Sequence, residues 1–348
     1  MKLTTATLLF LSSQVNAFSS HHARLSGIAG RQSVQLSMGK SNTSLETNSN
    51  PIVSSLNSAS IAEPPLVLEE KDTEQKSYLD DGFVFGMEGS GLKRPKGKVS
   101  QLVLEGDSLE AQPYQVAVVS ATFGSHALVS ALAFSQLMDL TGGNVALSTA
   151  QAAATILSSW LLADLGSGIL HWSVDNYGNG RTPIFGGIIA AFQGHHSAQW
   201  TITERAFFNN VWKLCIPFGI PTVLAITLLA GASHPLVSLF FAVFCSLEIL
   251  SQEFHKWAHM TKKEVHPIIN KLQDYGLTIG RKTHARHHVM PYDGNYCIVS
   301  GFWNEALDKS GLFRMMEKFI YERNGVESNA WKIDPKLRAK TLSGDFSI

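Results

Sequence analysis

Apolar residues are spread unevenly along the chain. Residues 1–110 are polar and broken by Ser, Asn, Pro and Gly, whereas residues 111–260 carry four long apolar runs. Residues 111–138 hold no charged side chain apart from His126 when protonated, and as a helix they are long enough to cross the roughly 30 Å hydrocarbon layer of a bilayer. After the turn at 139–144, a second run continues to about Leu170 and delivers His171 at its end. A third, about 211–230, is interrupted by Pro217 and Pro221, which membrane helices tolerate because neighbouring groups satisfy the freed carbonyls. The fourth, about 235–252, delivers His255. Short turns join run one to two and run three to four, so the pattern predicts an all-α integral membrane protein with about four transmembrane helices in two hairpins.

Parity then fixes sides. The second and fourth spans return to the side of the amino terminus, together with the 175–210 loop and the carboxyl-terminal region. The turns at 139–144 and 231–234 contain no Lys or Arg, while the flanks hold Lys93, Arg94, Lys96, Lys98, Arg181, Arg205, Lys256, Lys262 and Lys263. By the positive-inside bias the flanks lie on the stromal or cytoplasmic face.

That face also receives the histidines. His284, His287 and His288 form an H-x-x-H-H cluster, His255 and His259 an i,i+4 pair, His195 and His196 an adjacent pair, and His171 precedes Asp175 by four residues. Positions three and four apart share a helix face, so three of these four groups are spaced to converge ligands. Eight imidazoles are too many for one ion. The three cysteines, Cys215, Cys245 and Cys297, lie far apart and outside the clusters, which argues against structural zinc. A large imidazole set with a carboxylate nearby fits two ions side by side with open positions for oxygen, and a non-haem di-iron centre is the expectation.

Helical phase adds detail. Asp164, His171 and Asp175 fall within about 40° of one another on a helix, and Glu248, Gln252, His255 and His259 within about 60° on the fourth run. Acidic groups at membrane depth face the protein interior. Asp175 is either a ligand or a group that orients one, whereas Asp164 and Glu248 read as supports behind the ligands or as helix-pairing groups. His126, His234 and His266 match no cluster and read as structural.

Charge is balanced, with 28 basic and 28 acidic residues in 348, so nucleic acid is not an expected partner. Residues 1–17 have a Lys, a short apolar core and a small-residue end, as in a cleavable secretory signal. From Phe18 the chain is Ser-rich, contains Arg24, Arg31 and Lys40, and has no acidic residue before Glu46. A signal followed by a transit peptide at an Ala17-Phe18 step is similar to the bipartite presequence of algae with secondary plastids. The expected division is a targeting presequence at 1–45, a linker at 46–110, a membrane domain at 111–325 and a tail at 326–348. His21 and His22 fall in the presequence and are not expected as ligands.

Five stretches carry a family resemblance: HWSVDNYGN (171–179), AFQGHHSAQWTIT (191–203), SQEFHKWAH (251–259), LQDYG (272–276) and THARHHVMPYDGNYCIVSGFWNEALDKSG (283–311). Together they resemble the lipid desaturases, a family that includes the plastid desaturases acting on palmitate of phosphatidylglycerol and the plasmanylethanolamine desaturases. AFQGHH and NYCIVSGFWNEALDK are closer to the plastid branch. The resemblance implies an O₂-dependent membrane enzyme whose di-iron centre is held by His171, His195, His196, His255, His259, His284, His287 and His288. It further implies a trans-3 double bond placed in palmitoyl chains of phosphatidylglycerol, in a plastid membrane such as the thylakoid. The alternatives are an ether-lipid desaturase of the plasmanylethanolamine type and a related membrane hydroxylase. Electrons must come from a separate protein, plausibly a ferredoxin, since no Rossmann fingerprint, flavin motif or Cys₄ cluster occurs in the sequence. Arg205, Lys213, Arg281 and Lys282 are the candidates for an anionic lipid phosphate.

Overall fold

The computed structural model describes Ser100, Leu102, residues 106–231 and residues 234–347. The presequence, all but the last residues of the linker, and positions 232–233 of the second turn lie outside the described residues. Among the described residues every regular element is helical.

Four stretches are long and apolar enough to cross a membrane: Pro113–Leu140, Val145–Asn176, Phe207–Leu229 and Pro235–His259. The first, second and fourth are single helices, here α1, α2 and α8. The third is a chain of short helices: α5 (Phe207–Val211), a 3₁₀ turn (Trp212–Leu214), α6 (Cys215–Phe218), α7 (Ile220–Ile226) and a π turn (Thr227–Gly231). Its break falls where Pro217 and Pro221 predicted it. Gly219 is extended at ψ −159°, Pro221 opens α7, and the Thr222 hydroxyl donates to the Pro217 carbonyl at 2.6 Å. That bond occupies a carbonyl which the missing proline N–H leaves without a helical donor.

α1 and α2 are joined by a tight turn in which Gly142 and Gly143 adopt φ +62° and +81°, angles at which a Cβ is strained. Asn144 then caps α2 by accepting from the Leu147 N–H at 3.0 Å. α8 packs against both α1 and α2. Ala133, Leu137 and Ala152 meet Leu239, the Ser159 hydroxyl donates to the Phe240 carbonyl, and Ala163 joins Phe254 and Ala258. Small residues at these contacts let the backbones approach closely, as in membrane bundles generally. Gly166 is the tightest case, since a Cβ there would stand 2.2 Å from Glu248 Oε1.

Both α2 and α8 extend beyond their predicted apolar ends, to Asn176 and His259. His171, Asp175, His255 and His259 therefore sit on the last turns of two neighbouring helices. The remaining elements gather at this end: α3 (Gly186–His195), α4 (Thr201–Glu204), α9 (Pro267–Asp274), α10 (Arg281–His287), α11 (Asn304–Ser310) and α12 (Leu312–Asn324). The stretch set off as a tail is structured too. It forms α13 (Asn329–Ile333) and α14 (Pro335–Leu342), with Trp331 buried and the Asn329 amide donating to the Asp175 carbonyl at 2.7 Å. At the other boundary, Asp107, Ser108 and Glu110 of the predicted linker hydrogen-bond to Arg205 and Asn209.

Candidate metal centre

All eight clustered histidines and Asp175 come together. They form two groups: His195, His255, His259, His284 and His288; and His171, Asp175, His196 and His287. In each group one donor atom per residue lies within 4.8 Å of every other. The groups share a wall, with ring centroids 5.0 Å apart for His196 and His288 and 5.6 Å for His284 and His287.

Each donor is placed by local structure. His171 and Asp175 are one turn apart on α2, and His255 and His259 one turn apart on α8. His195 is the last residue of α3 and His196 its cap. His284 and His287 share a face of α10, with His288 at its end. α3 is pinned by Gln193, whose amide donates to the Val174 and Gly178 carbonyls at the end of α2, at 3.1 and 3.2 Å. The Val174 carbonyl belongs to the last turn of α2, whose carbonyls lack helical donors, and Gly178 follows the helix end, so one side chain both caps α2 and delivers the adjacent pair.

Residues 293–303 orient the second group, a role the spacing argument did not find. The Nδ1 atoms of His171 and His287 each lie 2.9 Å from a backbone oxygen, those of Tyr296 and Gly294. A carbonyl only accepts, so each Nδ1 carries the proton and each Nε2 presents a lone pair. This loop is locked to α2 by Asp164, whose carboxylate accepts from the N–H groups of Ser300, Gly301 and Trp303 at 2.6, 2.8 and 3.1 Å. It can dock because residue 168 is glycine: a Cβ there would stand 2.4 Å from Cys297 Sγ. Behind the loop, the buried Arg314 pairs with Glu317 and donates to the Asp293 carbonyl at 2.6 Å, while Glu317 accepts from Trp172 Nε1 at 3.2 Å. An Arg and a Glu three apart in a helix that also carries Phe313 and Met316 were the available signal, and either residue alone reads as surface.

The donor set fits metal. In the first group, Nε2 of His259 lies 2.8 Å from Nε2 of both His195 and His284, and Nε2 of His284 lies 3.0 Å from that of His288. Each Nε2 offers one hydrogen or one lone pair, so at most two of these three contacts are hydrogen bonds. A cation at the focus satisfies all of them. Both ring nitrogens of the buried His255 lack a hydrogen-bond partner among the described residues. In the second group, Asp175 Oδ2 faces Nε2 of His196, His171 and His287 at 3.1, 3.2 and 3.4 Å. For His171 and His287 this sets an acceptor against an acceptor, which repels without a cation between them.

Protonation is consistent with that fit. Burial, reinforced by neighbouring imidazoles, holds His195, His284 and His288 well below the ordinary histidine value. Burial takes His287 down to about 4, with His171 adding to the shift and Asp175 opposing it. These rings stay neutral near pH 7, the form that ligates a metal.

Among the described residues, His126, His234 and His266 lie outside the two groups and make other contacts. His126 Nδ1 meets Ser246 Oγ at 2.9 Å between α1 and α8. His234 and His266 are helix caps, accepting from Leu236 N–H at 3.2 Å and Ile268 N–H at 3.3 Å. Glu248 is fully buried against Gly166, and its carboxyl oxygens have no hydrogen-bond partner among the described residues.

Four stretches apolar enough to cross a membrane, two of which end in donors of a double imidazole cluster, define the class: an all-helical membrane protein with groups that could hold metal. Residues 160–331 match the lipid desaturase domain. It is 43% identical over 181 residues to fatty acid desaturase 4-like 1, chloroplastic, of Arabidopsis thaliana, covering 52% of this chain and 60% of that one. Its identity to fatty acid desaturase 4, chloroplastic, of the same organism is 44% over 174 residues, covering 50% and 53%. Plasmanylethanolamine desaturase 1 of Mus musculus is 29% identical over 182 residues, covering 50% and 67%. The chain thus spans only 53–60% of the length of the first two relatives. No solved structure matches it.

Proposed function

We propose that this protein is a membrane acyl-lipid desaturase of the plastid, which introduces a trans-3 double bond into palmitoyl chains of phosphatidylglycerol. The observation that carries the reading is the pair of donor groups, eight histidines and Asp175, gathered at one end of four apolar helices. Removing hydrogen from a saturated chain breaks an unactivated C–H bond, for which no side chain is a strong enough base. Two iron ions, when bound, supply that power through O₂.

The chain's own residues do the rest. His195, His255, His259, His284 and His288 would hold one ion, and His171, Asp175, His196 and His287 the other. Asp175 acts as a ligand, because the Nδ1–carbonyl bonds of His171 and His287 turn their lone pairs towards its Oδ2. Its negative charge offsets part of the cationic charge that neutral imidazoles leave in place. The Tyr296 and Gly294 carbonyls fix ring orientation, as partners behind metal ligands commonly do. Tyr292 and Tyr296 are buried beside the cluster and keep bulk water out.

A site at the span ends lies near the head-group level, where carbon 3 of an acyl chain also lies. The basic flanks favour the stromal face, and the thylakoid is the proposed membrane. Two electrons per turnover come from an external ferredoxin-type donor. The higher identity to the chloroplastic relatives, 43–44% against 29%, favours the acyl substrate over the plasmanyl one. The test is expression with a plastid ferredoxin in a host containing phosphatidylglycerol, followed by analysis of acyl chains and vinyl ethers. The expected product is 3-trans-hexadecenoate. A vinyl ether without it transfers the chain to the ether-lipid reading, and a hydroxylated chain to a hydroxylase.

A further inference from the structure

A cavity of about 60 Å³ adjoins the first donor group. His195 and His255 line one part of it, and Lys213, Arg205, Asn210 and Gln252 another. A single water needs about 10–15 Å³ of such space, so the cavity has room for a compact polar group.

Its charges are unequal. Arg205 is committed: it donates to Asp107 at 2.6 Å, to the Ser108 carbonyl at 2.9 Å and to Asn209 at 2.7 Å. Arg281, remote from the cavity, is tied to the Met260 carbonyl and to Asn270. Lys282 is exposed and absent from the cavity wall. Lys213 makes only a long hydrogen bond, 3.4 Å, to the Gly187 carbonyl. Asp107 faces both Arg205 and Lys213. Burial opposes its ionisation, yet the Arg205 hydrogen bond and the two positive charges hold its carboxyl below the usual range. Two cations and one carboxylate leave a net single positive charge, that of Lys213. Beside it, the amide Nε2 of Gln252, a residue 8% exposed, has no hydrogen-bond partner among the described residues. An ammonium and an amide donor in one partly closed cavity are the complement of a singly charged oxyanion.

We propose that Lys213 and the Gln252 amide hold the phosphodiester of the lipid substrate at this cavity, and that this anchor sets which carbon is oxidised. The proposal rests on the lipid desaturase reading above. Along a phospholipid, the third carbon of an acyl chain lies far closer to the phosphate than the middle carbons of the chain do. A phosphate fixed in a cavity whose wall includes two metal-group histidines therefore confines the reachable carbons to those near the carbonyl. Lys213 is in this sense a specificity-determining residue, and it recognises the phosphate rather than the glycerol or ethanolamine beyond it.

The test is calorimetric titration of the full-length, detergent-purified protein with dihexanoyl phosphatidylglycerol, uncharged dihexanoylglycerol and inorganic phosphate. Lys213→Gln weakens binding of dihexanoyl phosphatidylglycerol at least about tenfold, Gln252→Leu about fivefold, and Lys213→Arg little. Lys263→Gln, at an exposed position, changes nothing. Dihexanoylglycerol binds weakly to all forms. Equal affinity of wild type and both Lys213→Gln and Gln252→Leu overturns the proposal, and inorganic phosphate binding as tightly as the lipid overturns the lipid assignment. A phosphodiester is common to acyl and ether phospholipids, so an ether-lipid product sinks the substrate reading while leaving these affinities unchanged.

Discussion

His259 and His284 stand with their Nε2 atoms 2.8 Å apart, although one lies at the end of the fourth membrane helix and the other on a helix 25 residues further on. That contact joins span to loop, and it is the point at which the first donor group focuses. With His195 at the same distance from His259, the lone pairs require a cation or protons that neutral rings do not all supply.

If the donors hold two ions as proposed, losing any one donor weakens the hold on an ion. Replacing His287 or His196 by Ala is expected to abolish product, a loss of more than about a hundredfold, while the protein still accumulates in membranes. His126→Ala behaves differently, because His126 bridges to Ser246 between two spans. It keeps its metal and its activity and loses about 1 kcal/mol of stability, the worth of one hydrogen bond. Product yield, metal content and thermal midpoint measured together on the three variants separate the two roles.

The Arg314–Glu317 pair gives an asymmetric prediction. Arg314 holds the Asp293 carbonyl, and the next residues supply the carbonyls that orient His287 and His171. Arg314→Met leaves Glu317 buried without its partner, at a cost of about 3–5 kcal/mol. The expected result is metal lost first from the group containing Asp175, with the five-imidazole group retained. Arg314→Met combined with Glu317→Leu restores much of the stability but not the metal. Loss of both ions in parallel from the stably folded double variant would contradict this ordering.

Acid acts on the metal-free protein through the same rings. His287 titrates at about 4 in the fold and near 6.5 when unfolded, so the unfolded chain takes up protons first as pH falls. Stability from this group is complete above about 6.5 and is lost between about 6.5 and 4, by on the order of 1 kcal/mol per pH unit. The thermal midpoint of the metal-free protein should be flat from pH 8 to 7 and fall below 6.5. A midpoint that rises on acidification would show that these rings are not held neutral by burial.

Sidedness is open to a separate check. A cysteine placed at Gly143, in the turn between α1 and α2, is expected to react with an impermeant reagent from the side opposite to one placed at Lys263, just beyond α8. Labelling of both from one side would break the four-span arrangement that brings the histidines together.

Much of this was legible in the sequence for physical reasons. Spans two and four announced themselves because lipid tolerates only apolar side chains and internally bonded backbone, and His171, His255 and His259 followed from helical spacing. Other features depended on contacts far apart in the chain. The kinship of Gly168 with Cys297, the Asp164 clasp on Ser300–Trp303 and the turning of His171 by Tyr296 each join residues more than 120 positions apart. No local period encodes such a partner. The sequence did mark Asp164 as an interior acid, and only the fold shows that it grips backbone N–H groups. The stretch at 326–348 lacked a long apolar run, so its packing under Trp331 against the end of α2 had no local signature either.

The most direct measurement of the central claim is the metal content of the purified full-length protein, read by mass spectrometry together with Mössbauer spectroscopy of iron-57-loaded samples. Two iron ions per chain in unequal environments are expected, one rich in imidazole and one bearing a carboxylate, with His284→Ala disturbing the first and Asp175→Ala the second. A single ion per chain, or a stable complement of zinc in place of iron, would contradict the account.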